Sequence, residues 1–377
     1  MRPAARALLV PLAAWVLADA SRAAGQGSPA PAERLIRLAY FVPRDREPTR
    51  DFDQKIRVVT AMVASLYQQD LQSRGYRPQG PVFEGKRTGA TVHLVRGERD
   101  AAYYNNAPTY NANQQWQRLL PELRAKAGDP QRQVLVVFAE TYDDGPAPHL
   151  WPGVIARGAY NNADGGLAVF SSHLLRDELC ATTVEQQKRV LFDQTPVPGR
   201  KAFGRRMNSA RGEFAEDGIG AVAHELGHAL GLPHDRREDD RDLMGNGFRN
   251  LRWNFEPAAA HSGGRRVGFS EENARLLMCS RYMASDLRLN DNQAPQVEVL
   301  RVAPGQAERT ITVRASDETG LRAFVVLDQE RQSLVAGGKL SGRSQEITQR
   351  LPPGAPGGRL QVIVSDEGGN QTRTGRS

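Results

Sequence analysis

Cysteine, lysine and long apolar runs are scarce in this 377-residue chain, and each scarcity excludes something. Two cysteines are too few for a scaffold built on disulfides. The longest strongly apolar run, Ala7 to Ala18, is too short to cross a bilayer, and charge interrupts everything after it, so no membrane span is expected. Lysine supplies only six of the fifty basic residues, so the formal charge of +7 is carried by arginines spread through every segment. The densest basic group, Arg200, Lys201, Arg205, Arg206 and Arg211, has only Phe203 and Phe214 as aromatic neighbours. It reads as a solvated loop, and no nucleic-acid partner is expected. What is present, 40% apolar and 25% charged residues, is an ordinary globular composition with length for two or three cores.

The N-terminus reads as an address. Arg2 and Arg6 precede the apolar run, and small residues follow at Ala18, Ala20, Ser21 and Ala23, the order of a secretory signal peptide over residues 1–23. Export, extracellular or periplasmic, implies an oxidising compartment, where an even cysteine count favours one bridge between Cys180 and Cys279. Such a bridge would close a loop of about a hundred residues, worth up to about 4.7 kcal/mol in the chain-entropy view. Two buried thiols are the alternative.

Periodicity predicts an α+β body over residues 33–285. Leu35 to Val42 reads as a first strand. Phe52, Ile56, Val59, Val63, Leu66 and Leu71 recur at helical spacing and predict a helix of about five turns lying on a sheet. Thr91 to Val95 alternates like a strand, Trp116 to Leu123 suggests a helix disturbed by Pro121, and Val134 to Phe138, apolar on both faces, reads as a central strand. Gly165 to Phe170 is a Gly-led strand placed near an edge. After a polar stretch, Ser285 to Pro295, short alternating strands separated by Gly, Pro and Asp predict a small all-β, immunoglobulin-like sandwich over residues 294–377. Within it, Ser316 to Gly320 and Ser365 to Gly369 echo each other and read as turns rather than calcium loops, because neither supplies a spaced set of oxygen ligands.

The chemistry is concentrated in His224-Glu225-Leu226-Gly227-His228-Ala229-Leu230-Gly231-Leu232-Pro233-His234. Two histidines four apart on a helix face the same way and can reach one metal ion. Ile219, Val222, Ala223, Leu226 and Leu230 form the opposite stripe, so the helix packs by one face and offers its histidines from the other. Gly231 lets the chain leave the helix and bring His234 round as a third ligand. Given the first five residues, this composition would place both that Gly and that His by accident at about 0.2%. Three neutral imidazoles leave a fourth position for water, the arrangement of a catalytic Zn2+ site. Glu225 is placed to take a proton from that water and hand it to a leaving amine.

This pattern, with Met244 following in Asp242-Leu243-Met244-Gly245, resembles the metzincin clan of zinc endopeptidases. Residues Leu35 to Ala284 can be fitted to the clan, and His224 to Met244 match it specifically. The resemblance implies a mixed sheet and backing helix above a cleft, a smaller part below it ending in a helix over Phe269 to Tyr282, and Met244 as a hydrophobic floor beneath the metal. It implies too that Cys279 on that closing helix could be tied to Cys180. Asp235 is similar to the adamalysin branch, but two cysteines do not fit its cysteine-rich members. Asn246 stands where astacins carry a tyrosine, and no cysteine precedes Cys180 to serve as a cysteine switch, so the family within the clan is left open.

In that clan an extended peptide adds antiparallel to the edge strand of the sheet. Leu167 to Ser171 is the candidate edge here, with an interior strand as the equal alternative, and Phe248, Leu251, Trp253 and Phe255 are candidates for the pocket wall, which core packing would explain equally well. His93, His149, His173 and His261 lack ligand spacing and read as surface or satisfied histidines. The expected activity is cleavage of a protein or peptide substrate. The alternative is an adhesion or glycan-binding protein, in which the sandwich meets a surface, glycan or protein and the zinc fold is an inactive scaffold.

Overall fold

The structure, a computed structural model, describes residues 34–376 except 87–88, 106–111, 143–155, 162–163, 203–204, 256–265, 304–308 and 353–358. The expected signal peptide, His149, Phe203 and His261 lie outside the described residues. In chain order the first part comprises β1 (Arg37–Val42), α1 (Phe52–Ser73), the two-residue strands β2 (Gly85–Lys86) and β3 (Gly89–Ala90), and β4 (Val92–Arg96). Then come α2 (Ala101–Asn105), α3 (Ala112–Lys126), β5 (Val134–Ala139), β6 (Ala156–Asn161), β7 (Gly166–Ser171), α4 (Val184–Leu191), α5 (Arg211–Ala229) and α6 (Glu271–Leu277).

Five of the strands make one sheet in the order β4-β1-β5-β7-β6. The first four run parallel and β6 lies antiparallel to β7, so the sheet is mixed, as the resemblance implies. Alternation along the strands sorts side chains to two faces. Leu38, Tyr40, Val136, Phe138, Ala168 and Phe170 join the core shared with α1 and α5, while Ala39, Phe41, Leu135, Val137, Leu167 and Val169 pack with Leu119 and Leu123 of α3. Helix α1 buries the predicted stripe from Ile56 to Leu71. Helix α3 continues through Pro121, which sits at an exposed position.

One expectation is corrected. Leu167 to Ser171 is not the edge: β7 is paired on both sides, and all six of its residues are buried. The edge is β6, whose Ala-Arg-Gly-Ala-Tyr-Asn carries no apolar alternation to announce a strand. A strand apolar on both faces belongs in the interior of a parallel sheet, and that signal in Gly-Leu-Ala-Val-Phe outweighs its leading glycine.

The C-terminal part is all antiparallel: β8 (Gln296–Ala303), β9 (Arg309–Ser316), β10 (Leu321–Asp328), β11 (Ser333–Lys339), β12 (Ser344–Leu351), β13 (Leu360–Asp366) and β14 (Gln371–Arg376). They form a four-stranded sheet, β11-β10-β13-β14, facing a three-stranded sheet, β12-β9-β8. Phe324, Val326, Val362 and Val364 point into the space between the sheets. Val325, Leu334 and Ile363 point the other way and belong to the core that contains α5 and α6, so the central strands β10 and β13 of the four-stranded sheet are buried on both faces. The stretch from Ser285 to Pro295 is pinned to the C-terminal strands: Arg288 N–H donates to Glu367 O at 2.8 Å, and Thr372 Oγ1 donates to Pro295 O at 2.5 Å.

The expected bridge between Cys180 and Cys279 is not formed; both thiols are free and buried. They have separate surroundings. Cys180 Sγ lies 3.9 Å from Lys55 O of α1, whereas Cys279 Sγ lies 3.3 Å from Arg275 O of α6, next to Arg322 of β10. Burial pushes the Cys180 thiol up to about 12 and the Cys279 thiol up to about 11, so both stay protonated and unreactive.

Candidate metal centre

Helix α5 carries the chemistry, and both of its ends are made by recognisable local bonds. At the start the Glu213 carboxylate accepts the Ala210 N–H at 2.9 Å, standing in for a cap that the alanine side chain cannot supply. At the end Leu232 N–H donates to Gly227 O at 2.9 Å and Gly231 N–H to His228 O at 3.0 Å, the paired bonds of a Schellman turn. Gly231 has φ +96°, a conformation costly for any other residue. The chain therefore reverses at once and returns His234 to the helix, as predicted.

His224, His228 and His234 converge by their Nε2 atoms: His228 lies 3.1 Å from His224 and 3.0 Å from His234. The Nδ1 atoms of the first two face carbonyl oxygens, His224 to Leu243 O at 2.7 Å and His228 to Leu232 O at 2.8 Å. A ring nitrogen facing a carbonyl carries the proton, which leaves the Nε2 of each ring as a bare lone pair. Two lone pairs 3.1 Å apart repel, and a shared cation removes the repulsion. Two imidazoles each bound at about 2.0 Å to a tetrahedral ion sit about 3.3 Å apart, so the spacing fits zinc. Burial, reinforced by the other two rings, holds His224 well below the ordinary histidine range, and burial with the His228 ring lowers His234 to about 3. His224 and His234 are thus neutral near pH 7, and binding a metal there expels no proton from either of these rings.

Met244 is fully buried against the helix at Gly227, the residue before His228. A Cβ added at Gly227 would lie 2.5 Å from Met244 Sδ, so this glycine is what lets the methionine pack against the helix there. Glu225 is half-buried, between the two helical ligands in sequence. Of the proposed wall residues, Phe248 has its ring centre 4.8 Å from that of His224. Leu251 is fully buried, Trp253 meets Phe192 edge-on, and Phe255 lines a hollow beside α1 and α4, so these three do not join Phe248 at the triad. His93 pairs with Glu84 at 3.0 Å, as a satisfied histidine does, and the His173 ring meets Tyr142 edge-on.

Two features near the centre escape a reading of the sequence. Arg205, expected in a solvated loop, reaches the fully buried Glu216 of α5 at 3.3 Å, and Arg252 Nε holds the same carboxylate at 2.8 Å. This ties the segment after Met244 to the active-site helix. Asp235, 1% exposed, accepts Arg237 at 2.7 Å, and Arg237 also pairs with Glu272 of α6. Neither network has a spacing signature, because its members come from different elements.

A second group of carboxylates, Asp291, Asp317 and Asp366, gathers where the two echoing turns meet. Its oxygens are occupied by Thr319 and Asn370, consistent with turns. Burial, with the charges of Asp291 and Asp317, pushes Asp366 up to about 6. Because the folded pKa is raised, the stability linked to it is full below about pH 4, is lost as pH rises toward 6, and is flat above. Asp291→Asn is therefore expected to stabilise the chain by about 1 kcal/mol at pH 8 and to leave it unchanged at pH 4. Urea denaturation at the two pH values, with chelator present, checks this; equal effects at both would refute the coupling.

A family model described as "Metallopep: Putative peptidase family" matches residues 40–319. A Schizosaccharomyces pombe protein described as a "putative zinc metalloproteinase" is 29% identical over 154 residues, 40% of this chain and 23% of that protein. The chain thus spans less than a quarter of that curated relative's length. Among solved structures, catalytic inactive OgpA from Akkermansia muciniphila, in complex with an O-glycopeptide (glycodrosocin) substrate, superposes with a TM-score of 0.62 at 14% identity, covering 93% of this chain and 94% of that one. Wild type OgpA gives 0.60 at 15% identity, covering 93% and 95%. At these identities the likeness establishes a common fold: a mixed α/β part followed by antiparallel sheets.

Proposed function

Because the chain belongs to the Metallopep family of peptidases, we propose that it is an exported zinc endopeptidase of metzincin-like build with an immunoglobulin-like C-terminal sandwich. The observation that carries this reading is the convergence of the Nε2 atoms of His224, His228 and His234, the first two left proton-free by their Nδ1 bonds to carbonyls. His224, His228 and His234 would hold the ion, three protein ligands being the count of a catalytic zinc site. Zinc supplies Lewis acidity, polarising a peptide carbonyl and acidifying water. Glu225 takes the proton released from water and delivers it to the departing amine. Met244 keeps an apolar floor under the ligands. The antiparallel strand β6, next to α5 and at the edge of the sheet among the described residues, is where an extended peptide would add. Since OgpA binds an O-glycopeptide, the proposed substrate is a peptide or glycopeptide.

Elemental analysis and chelation test the reading. Purified protein is expected to contain about one zinc per chain and to cleave internal bonds of end-blocked peptides. That activity should vanish on chelation and return with added zinc. Zinc-free protein whose proteolysis ignores chelators would overturn the proposal, and trimming confined to free termini would overturn its endopeptidase part.

A further inference from the structure

The loop that carries His234 is clamped from below by the C-terminal sandwich. Arg373, Ile363, Val325 and Gly337 are direct cross-strand partners, one from each strand of the four-stranded sheet, and so lie in one row on one face. Each end of that row reaches the catalytic part. At the β14 end, Arg373 donates to Gly231 O, on the turn between the second and third ligands, at 2.5 Å. At the β11 end, Gly337 has no side chain to obstruct Glu272 of α6, whose Cγ would lie 2.8 Å from an added Cβ. Glu272 in turn grips Arg237, which holds Asp235, the residue after His234. Backbone bonds complete the clamp: Arg236 N–H donates to Gln332 O at 3.0 Å, and Leu334 N–H approaches Asp235 Oδ1 at 3.4 Å.

We infer that the four-stranded sheet is a working part of the metal centre and that Arg373 is a positioning residue for the third ligand. His228 and His224 are fixed by their own helix, but His234 stands on a reversed loop. Without an outside hold its ring samples other positions, and the ion is left with two ligands. The guanidinium of Arg373 fixes the loop's first carbonyl, and the Asp235 to Glu272 chain fixes its last residue. This rests on the reading of the three histidines as metal ligands.

The experiment uses the full chain and zinc itself. Apo-protein of wild type, Arg373→Met, Arg373→Lys and His228→Ala is titrated against a chromophoric chelator to give the zinc affinity. Melting of each apo-form and the visible spectrum of each cobalt-loaded form are recorded alongside. Arg373→Met is expected to bind zinc about 10–100-fold more weakly, the usual effect of losing a partner that orients a ligand. Its cobalt spectrum should lose tetrahedral intensity while its apo-form melts with the wild type. Arg373→Lys, which keeps a donor, should recover most of the affinity. Zinc affinity of Arg373→Met within threefold of wild type would overturn the inference, as would equal losses in both variants that track a fall in apo melting. Zinc binding by His228→Ala as tight as wild type would instead sink the assignment of the triad.

Discussion

Glu225→Gln is expected to lower kcat for peptide cleavage by about 10²–10⁴-fold while leaving zinc content unchanged. The two observables separate because Glu225 has no part in the converging set of nitrogens. The amide keeps the shape of the side chain and a hydrogen-bonding oxygen, but it cannot accept a proton at neutral pH, so the loss should fall on kcat rather than KM. The pH profile should change with it: an ascending limb belonging to the base in wild type should be missing in the variant. Full activity in Glu225→Gln would remove this residue from the chemistry, and loss of zinc together with activity would show instead that it supports the ligands. His224→Ala differs in kind, because it should release the metal itself.

Ending the chain at Ala284 is expected to abolish cooperative melting. The truncation strips Val325, Leu334 and Ile363 from the core around α5 and α6, each worth about 1.5–3 kcal/mol when fully buried. It also takes from Arg281, 4% exposed, its bonds to Gly368 O at 2.7 Å and Asn370 Oδ1 at 3.1 Å, leaving it the Asp164 carboxylate at 2.5 Å. Hydrogen bonds to a charged group are worth about 1.5–3 kcal/mol each. Together these losses are comparable with the stability of a typical domain, about 5–15 kcal/mol. Calorimetry of the truncated chain checks this, and a sharp transition within a few degrees of the full-length protein would show that residues 33–285 stand alone. The same contacts weigh against an adhesion module hung on an inactive scaffold, since one face of its main sheet is already covered.

The metal centre was legible because helical geometry converts a spacing of four into a shared direction, and because Gly231 marks where the helix must turn. Helix α1 and strand β5 were legible from periodicity and from apolar character on both faces. The edge strand β6 was not, since Ala-Arg-Gly-Ala-Tyr-Asn lacks alternation and takes its place only by pairing with β7. Strands β11, β12 and β14 carry little strand signal either. Two of them are polar, and β11 contains Gly337 and Gly338. The docking of the sandwich did leave a trace: Phe324 to Leu327 and Val362 to Val364 are apolar without interruption, as strands covered on both sides are. No spacing rule reaches the pairing of Asp235 with Arg237 and Glu272, or decides whether two distant cysteines meet.

The bond from Arg373 to Gly231 joins residues 142 positions apart, and β14 is the last of the described strands. A protein synthesised from its N-terminus makes both helical histidines long before the residue inferred to steady their third companion. On that inference the third ligand is held only after the four-stranded sheet has folded against the loop, so assembly of the triad reports on folding of a segment far away in sequence.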